Sequence, residues 1–220
     1  MVISLIQSVK SEASGQTTPA ISITASLAGS LIIVHVANDT FRTISSVTDN
    51  QSNAYISVTG AQGSQGNDVW YLWYCENANA GVTTVTVHFS AGANYCASVE
   101  EYSGVKSSGS LDTSATQTNA STAVTSPAII PSVSGELLVT SAITDDFFLT
   151  GVSSPWTTTS AATSIDGFAA GYYINPPLSS QSAAYAPTTA THTGGALAAS
   201  FLPGPTGPSA KQKASMFLSL

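Results

Sequence analysis

The chain has 220 residues, of which 43% are hydrophobic and only 8% charged, and twelve acidic against five basic residues leave a net charge of −7. An average soluble domain carries about 25% charged residues, so the polar surface must be built from Ser, Thr, Asn, Gln and Gly, which suit strands and turns rather than helices. Five scattered cations (Lys10, Arg42, Lys106, Lys211 and Lys213) argue against a nucleic-acid partner, no apolar run is long enough for a membrane-spanning helix, and the length fits one large all-β domain or two small ones.

Met1 to Gln7 lacks the basic flank and long apolar stretch of a secretion signal, so the expectation is either a chain folded in a cytoplasm or one whose signal was removed and replaced by Met. Ile21 to Thr24 alternates. Ser30 to Val36 is a continuous apolar run, the pattern of a strand buried on both faces. Ile44 to Val47 predicts a short strand that turns at Asp49-Asn50-Gln51-Ser52-Asn53, followed by a strand over Ala54 to Thr59 and a polar, Gly-rich loop over Gly60 to Asn67. Asp68 to Cys75 is an aromatic strand and Asn77 to Gly81 a turn. Thr83 to Phe89 alternates strictly, with Val85, Val87 and Phe89 inward, and Tyr95 to Tyr102 is a strand closed by Ser103-Gly104.

Residues 106 to 123, rich in Ser and Thr, read as an extended crossing segment. The elements then echo those of the first half. Ser134 to Val139 resembles Ala28 to Ile33, Gly167 to Tyr173 takes the place of Val69 to Tyr74, and Gly195 to Phe201 that of Tyr95 to Tyr102. The expected fold is therefore all-β: a jelly-roll-like antiparallel β-sandwich over residues 1–203, with pseudo-repeated halves at about 1–105 and 124–203. Two separate small sandwiches are the alternative, less favoured because the second half has few large apolar anchors beyond Phe168, Leu197 and Phe201. Residues 204–220 read as a Pro/Gly-rich extended arm ending in the apolar Met216-Phe217-Leu218-Ser219-Leu220. The arm either folds back on its own sheet or docks on a neighbouring subunit by strand addition.

Little in the chain points to catalysis, to a metal or to a cofactor. The three histidines, His35, His88 and His192, have no Gly-x-Ser-x-Gly elbow to serve. Glu100-Glu101 and Asp145-Asp146 are adjacent pairs, which a strand sends to opposite faces. Glu101 is expected to cap turn amides near Ser103-Gly104, and Asp49, Asn50 and Asn53 to form a hydrogen-bonded turn rather than a calcium site. Cys75 and Cys96 read as two buried free thiols, the form a reducing cytoplasm favours. Trp70 and Trp73 lie on opposite faces of one strand. Trp70, Leu72 and Tyr74 form either an exposed ledge suited to sugar stacking or protein contact, or one face of a strand buried on both sides. With Met216, Phe217, Leu218 and Leu220, they make up the candidate interaction surface. Trp156 reads as a loop plug on the core.

Several stretches together resemble a β-sandwich domain family of tailed-phage virion structural proteins and bacterial surface or secreted proteins. They are Gly29 to Val34, Ser46 to Tyr55, Val69-Trp70-Tyr71, Thr83 to Phe89, Glu101 to Val105 with Leu111-Asp112, and Gly135 to Val139. The resemblance covers about residues 20 to 202 and implies a fold more than an activity, with no catalytic residues to carry over. The expected function is that of a phage virion structural protein, foremost a capsid decoration or cement protein located in the virion. Its partners would be copies of itself and neighbouring capsid proteins. A tail-fibre or baseplate subunit, or a carbohydrate-binding module facing cell-surface glycans, are the alternatives, and a glycan hydrolase the least favoured.

Overall fold

The computed structural model describes residues 2–121, 123–145, 149–161, 167–185 and 192–205. Among them all regular structure is strand: β1 (Ser4–Gln16), β2 (Ala20–Ser22), β3 (Ser30–Asn38), β4 (Ile44–Asp49), β5 (Ile56–Gln65), β6 (Asp68–Ala78), β7 (Thr84–Phe89), β8 (Ala93–Ser103), β9 (Leu111–Ser121), β10 (Leu137–Thr144), β11 (Thr157–Ala161), β12 (Gly167–Ile174) and β13 (His192–Phe201). A first sheet runs β1-β8-β3-β6-β5, a second β11-β12-β10-β13-β9 and a third β2-β7-β4. Every pairing is antiparallel. The all-β antiparallel sandwich expected from the sequence is the observed fold.

The first sheet is the middle layer. Along β3, Leu31, Ile33 and Ala37 pack toward the second sheet, whereas Ile32, Val34 and Val36 pack toward the third. That double burial is why the strand reads as an unbroken apolar run rather than an alternating one. In β7, which lies in the outer third sheet, Val85, Val87 and Phe89 point inward and the residues between them are half-exposed, as their alternation predicts. The outer face of the second sheet is covered by irregular segments carrying Val124, Ile129, Leu149, Trp156, Ala183 and Tyr185.

Four segments differ from expectation, among them β11, which no sequence pattern announces. Residues 4–16 form the long edge strand β1, which the sequence reading did not anticipate. Residues 60–65 continue β5 instead of looping, so only Gly66-Asn67 turns. The crossing segment contains β9, paired along its length with β13. Polar edge strands lack the apolar alternation by which strands are recognised.

The two five-stranded sheets repeat one plan. In each, the first strand of the half is an edge and pairs with the last, the second strand is central, and the third is the other edge. Thus β1, β3, β5, β6 and β8 correspond to β9, β10, β11, β12 and β13. The registers agree residue by residue. Leu31 pairs with Tyr102 as Leu137 pairs with Phe201, and Ile33 pairs with Tyr74 as Val139 pairs with Tyr172. Even the third sheet has a counterpart in the second half, reduced to single bridges between Thr125 and Ala184 and between Val152 and Tyr185. Aromatic contacts across the interface come in exchanged pairs: Tyr74 meets Phe201 edge-on at 5.4 Å, and Tyr102 meets Tyr172 at 5.7 Å. Exchanged contacts of this kind are the mark of a two-fold relation. Each half is therefore a two-layered unit, and the two units share the core between their large sheets.

Trp70 is the largest side chain of that core. Its indole N–H donates to Thr116 Oγ1 at 2.7 Å. Its ring lies against Gly63 and Gly195, where an added Cβ would fall 2.6 and 2.0 Å from ring carbons. Gly195→Ala is expected to destabilise the fold by about 1–3 kcal/mol, the usual cost of overpacking a filled core, and Trp70→Phe in the same chain to recover part of that loss. Chemical denaturation of the two variants measures both, and an unchanged midpoint for Gly195→Ala would contradict the packing described.

Candidate functional site

The aromatic ledge is not a surface. Trp70, Leu72 and Tyr74 are buried in the core between the two large sheets, and Tyr71 and Cys75 face the third sheet. Of the two readings, burial on both faces is the observed one, because a second five-stranded sheet covers the side that the sequence left open. Met216, Phe217, Leu218 and Leu220 lie outside the described residues. Trp156 is buried on the outer face of the second sheet, 5.9 Å from the Tyr173 ring.

Inside the sandwich, the fold gathers residues that the sequence had kept apart. His35 on β3 lies with its Nδ1 3.0 Å from Ser141 Oγ on β10 and its Nε2 3.8 Å from Glu100 Oε2 on β8. Glu100 also accepts hydrogen bonds from Tyr102 Oη at 2.6 Å, from Ser98 Oγ at 3.2 Å and from Thr159 Oγ1 on β11. A serine, an imidazole and a carboxylate in sequence form the outline of a nucleophilic triad. Yet His35 and Glu100 are 0% exposed and Ser141 3%, so no substrate reaches them. Burial holds the His35 pKa below its ordinary value, and the attraction of Glu100 is the smaller effect. The imidazole is therefore neutral at pH 7 and the contact is a polar one, not an ion pair. A hint lay in the sequence: His35, Ser98, Glu100 and Ser141 all sit at inward-facing positions of otherwise apolar strands.

The other polar candidates have structural employment. Asp49 accepts bonds from the amides of Gln51 and Asn53 at 2.8 and 3.1 Å and from Asn53 Nδ2 at 2.8 Å, and Asn50 accepts from the amides of Thr83 and Thr84, so this is the hydrogen-bonded turn expected. Glu101 does bind a turn amide, but that of Leu27 at 2.7 Å rather than those near Ser103. Asp145 accepts from the Thr193 amide at 2.8 Å, and Asp146 lies outside the described residues. Cys75 and Cys96 are free and buried in different cores on opposite faces of the first sheet. His88 bonds Thr48 Oγ1 through Nε2 at 2.9 Å.

What the fold does expose is one apolar end. The starts of β3 and β10 and the ends of β8 and β13 meet there, and Gly204 donates to the Gly104 carbonyl at 2.7 Å. Val2, Leu27, Ile130, Val133 and Leu178 stand exposed on its loops, Ile130 by 61% and Leu27 by 52%. These loops are held firmly. The buried Glu101 carboxylate binds the Leu27 amide, and the equally buried Glu136 binds that of Val133 at 2.7 Å. A groove of about 350 Å³ lined by Leu27, Gly29, Val105 and Pro205 opens where residue 205 leads out. Exposed apolar side chains on rigid loops suit a permanent contact.

The buried histidine has a measurable consequence. Unfolded, it titrates near 6.5, whereas folded it resists protonation. Below about pH 6.5 the unfolded state binds a proton that the folded state refuses, so stability falls as pH is lowered, by up to about 1.4 kcal/mol per pH unit. Urea denaturation between pH 7 and 5 is expected to show this slope in the native chain and a flatter one in His35→Gln; equal slopes would refute it. No protein-family model matches the chain, and no curated protein matches it in sequence.

Proposed function

We propose that this chain is a structural, non-catalytic protein of a phage particle, foremost a capsid decoration or cement protein, seated on its neighbours through the apolar end. The observation that carries this reading is the collection of Val2, Leu27, Ile130, Val133 and Leu178 around the point where residue 205 leads toward an apolar C-terminal pentad. A monomer gains nothing from five large exposed apolar side chains, two of them (Leu27 and Val133) on amides held by buried carboxylates, whereas a subunit that buries them against a neighbour gains roughly 25 cal/mol per Å² covered. The sealing of the one serine–histidine–carboxylate cluster among the described residues fits a role without turnover. The partners are capsid subunits and further copies of the chain, and the location is the virion.

Mass spectrometry of purified particles is expected to find the chain at a copy number in the hundreds. A few copies per particle would move it to the tail fibre or baseplate, and its absence would overturn the reading. Leu27→Asp with Leu178→Asp, both at exposed positions, is expected to leave the melting temperature unchanged and to abolish incorporation, as is deletion of Met216 to Leu220. Full occupancy with the double variant would remove the apolar end from the argument.

A further inference from the structure

At the other end of β3 the surface is different. Among the described residues, Phe41 is the large apolar side chain exposed there, by 60%, and it is held in an unusual way. Its φ is +53°, a left-handed conformation that bulky side chains rarely adopt. The turn is locked by Asn38, itself buried, whose Oδ1 accepts from the Arg42 amide at 2.9 Å and whose Nδ2 donates to the Arg42 carbonyl at 2.9 Å. The Phe41 amide donates to the Asn67 carbonyl at 2.9 Å. The fold thus holds a strained backbone in order to keep an aromatic ring in water, where the hydrophobic effect alone would turn it inward. Strain of this kind at an exposed residue points to function.

The ring borders a cleft of about 470 Å³ lined by Arg42, Thr43, Gln62, Ser64 and Tyr71. Among the described residues, the side chains of Thr43, Gln62 and Ser64 make no hydrogen bond with the protein. Arg42 uses only its Nε, toward the Gly92 carbonyl at 3.3 Å. Two hydroxyls, a carboxamide and the free end of a guanidinium therefore converge beside a flat apolar face. A few convergent polar groups against an aromatic wall are the makings of a small-molecule site. The chemistry that matches is a pyranose ring: its C–H face lies on an aromatic ring, and its hydroxyls take and give hydrogen bonds at the rim.

We propose that this cleft binds a neutral hexose unit of a glycan, with Phe41 as the stacking platform and Arg42, Gln62 and Ser64 as the hydrogen-bonding rim. Arg42 is the cation within the cleft, but the charge around it disfavours an acidic polymer. The chain carries −7 overall, and Asp39 and Asp68 line the neighbouring hollow, so a polyanion is repelled on approach. The site is independent of the assembly reading, because it lies at the opposite end of the sandwich and its test uses the purified chain alone.

The full chain is to be applied to an array of neutral and uronate-bearing oligosaccharides, with affinities then measured calorimetrically for the glycans bound. Binding to neutral hexose-containing glycans is expected, falling at least tenfold in Phe41→Ala and fivefold or more in Gln62→Ala, and retained in Phe41→Trp. Phe41→Gly is the decisive variant. Glycine accepts the left-handed turn without strain, so the melting temperature is expected to hold or rise while binding is lost. Absence of binding across the array, binding confined to the acidic sugars, or binding indifferent to Phe41→Gly would each overturn the proposal.

Discussion

The shared core between the two large sheets is the constraint on which the rest of the structure depends. Neither sheet has another way to cover its inner face, so Leu31, Ile33, Trp70, Leu72, Tyr74 and Tyr102 from one half must meet Leu137, Val139, Phe168, Leu197 and Phe201 from the other. Because the first sheet is also covered by the third, its central strands are dry on both sides. That explains why an aromatic strand that reads as a surface is an interior. The two-fold relation follows from the same demand. Two similar sheets, each needing a partner, satisfy one another in a self-complementary way, and the Tyr74–Phe201 and Tyr102–Tyr172 contacts are two copies of one solution.

His35 and Ser141 occupy equivalent positions in the two halves, four residues after Leu31 and Leu137, and their hydrogen bond therefore lies close to the two-fold axis. Polar groups in a core raise its cost unless every partner is in place. Here the partners come from β3, β8, β10 and β11, and they satisfy His35 Nδ1 and the Glu100 carboxylate while His35 Nε2, 3.8 Å from Glu100 Oε2, makes no hydrogen bond. Apolar side chains alone would tolerate a slide of one sheet over the other far better than this cluster does. The cluster thus defines the docking of the two halves, a structural service that uses the same residue types as catalysis but none of the access catalysis requires.

β3, β7 and β10 were readable in the sequence because burial on two faces or on one leaves an unmistakable pattern. The repeat was visible as an echo, but faintly, because equivalent positions carry unlike side chains: His35 and Ser141, Trp70 and Phe168, Leu72 and Ala170. Trp70 of the first half lies against Gly195 of the second, so volume is matched there by unlike residues and similarity between the halves is lost. β1 and β9 were missed because an edge strand that is half-exposed on both faces has no period to read. Phe41 was missed for another reason. Its significance lies in a backbone angle and a buried asparagine three residues earlier, and nothing in the string Asn38-Asp39-Thr40-Phe41 distinguishes a pinned aromatic from an ordinary loop residue.

The scarcity of charge changes meaning once the edges are located. From sequence, Ser/Thr strands without charged guards look exposed to edge-to-edge pairing, and that favours an assembling subunit. In the fold the edges guard each other. β1 lies along β11, where Ser8 Oγ donates to the Thr159 carbonyl at 3.1 Å. β5 lies along β9, so closely that a Cβ at Gly60 would fall 2.4 Å from Ser114 Oγ. Both pairs of edges are covered from within the chain, and no charge is needed to protect them. Composition by itself therefore no longer argues for assembly, and the weight passes to geometry. The exposed apolar side chains gather at one end of a sandwich whose central strand spans about 30 Å, and a pinned aromatic cleft stands at the other.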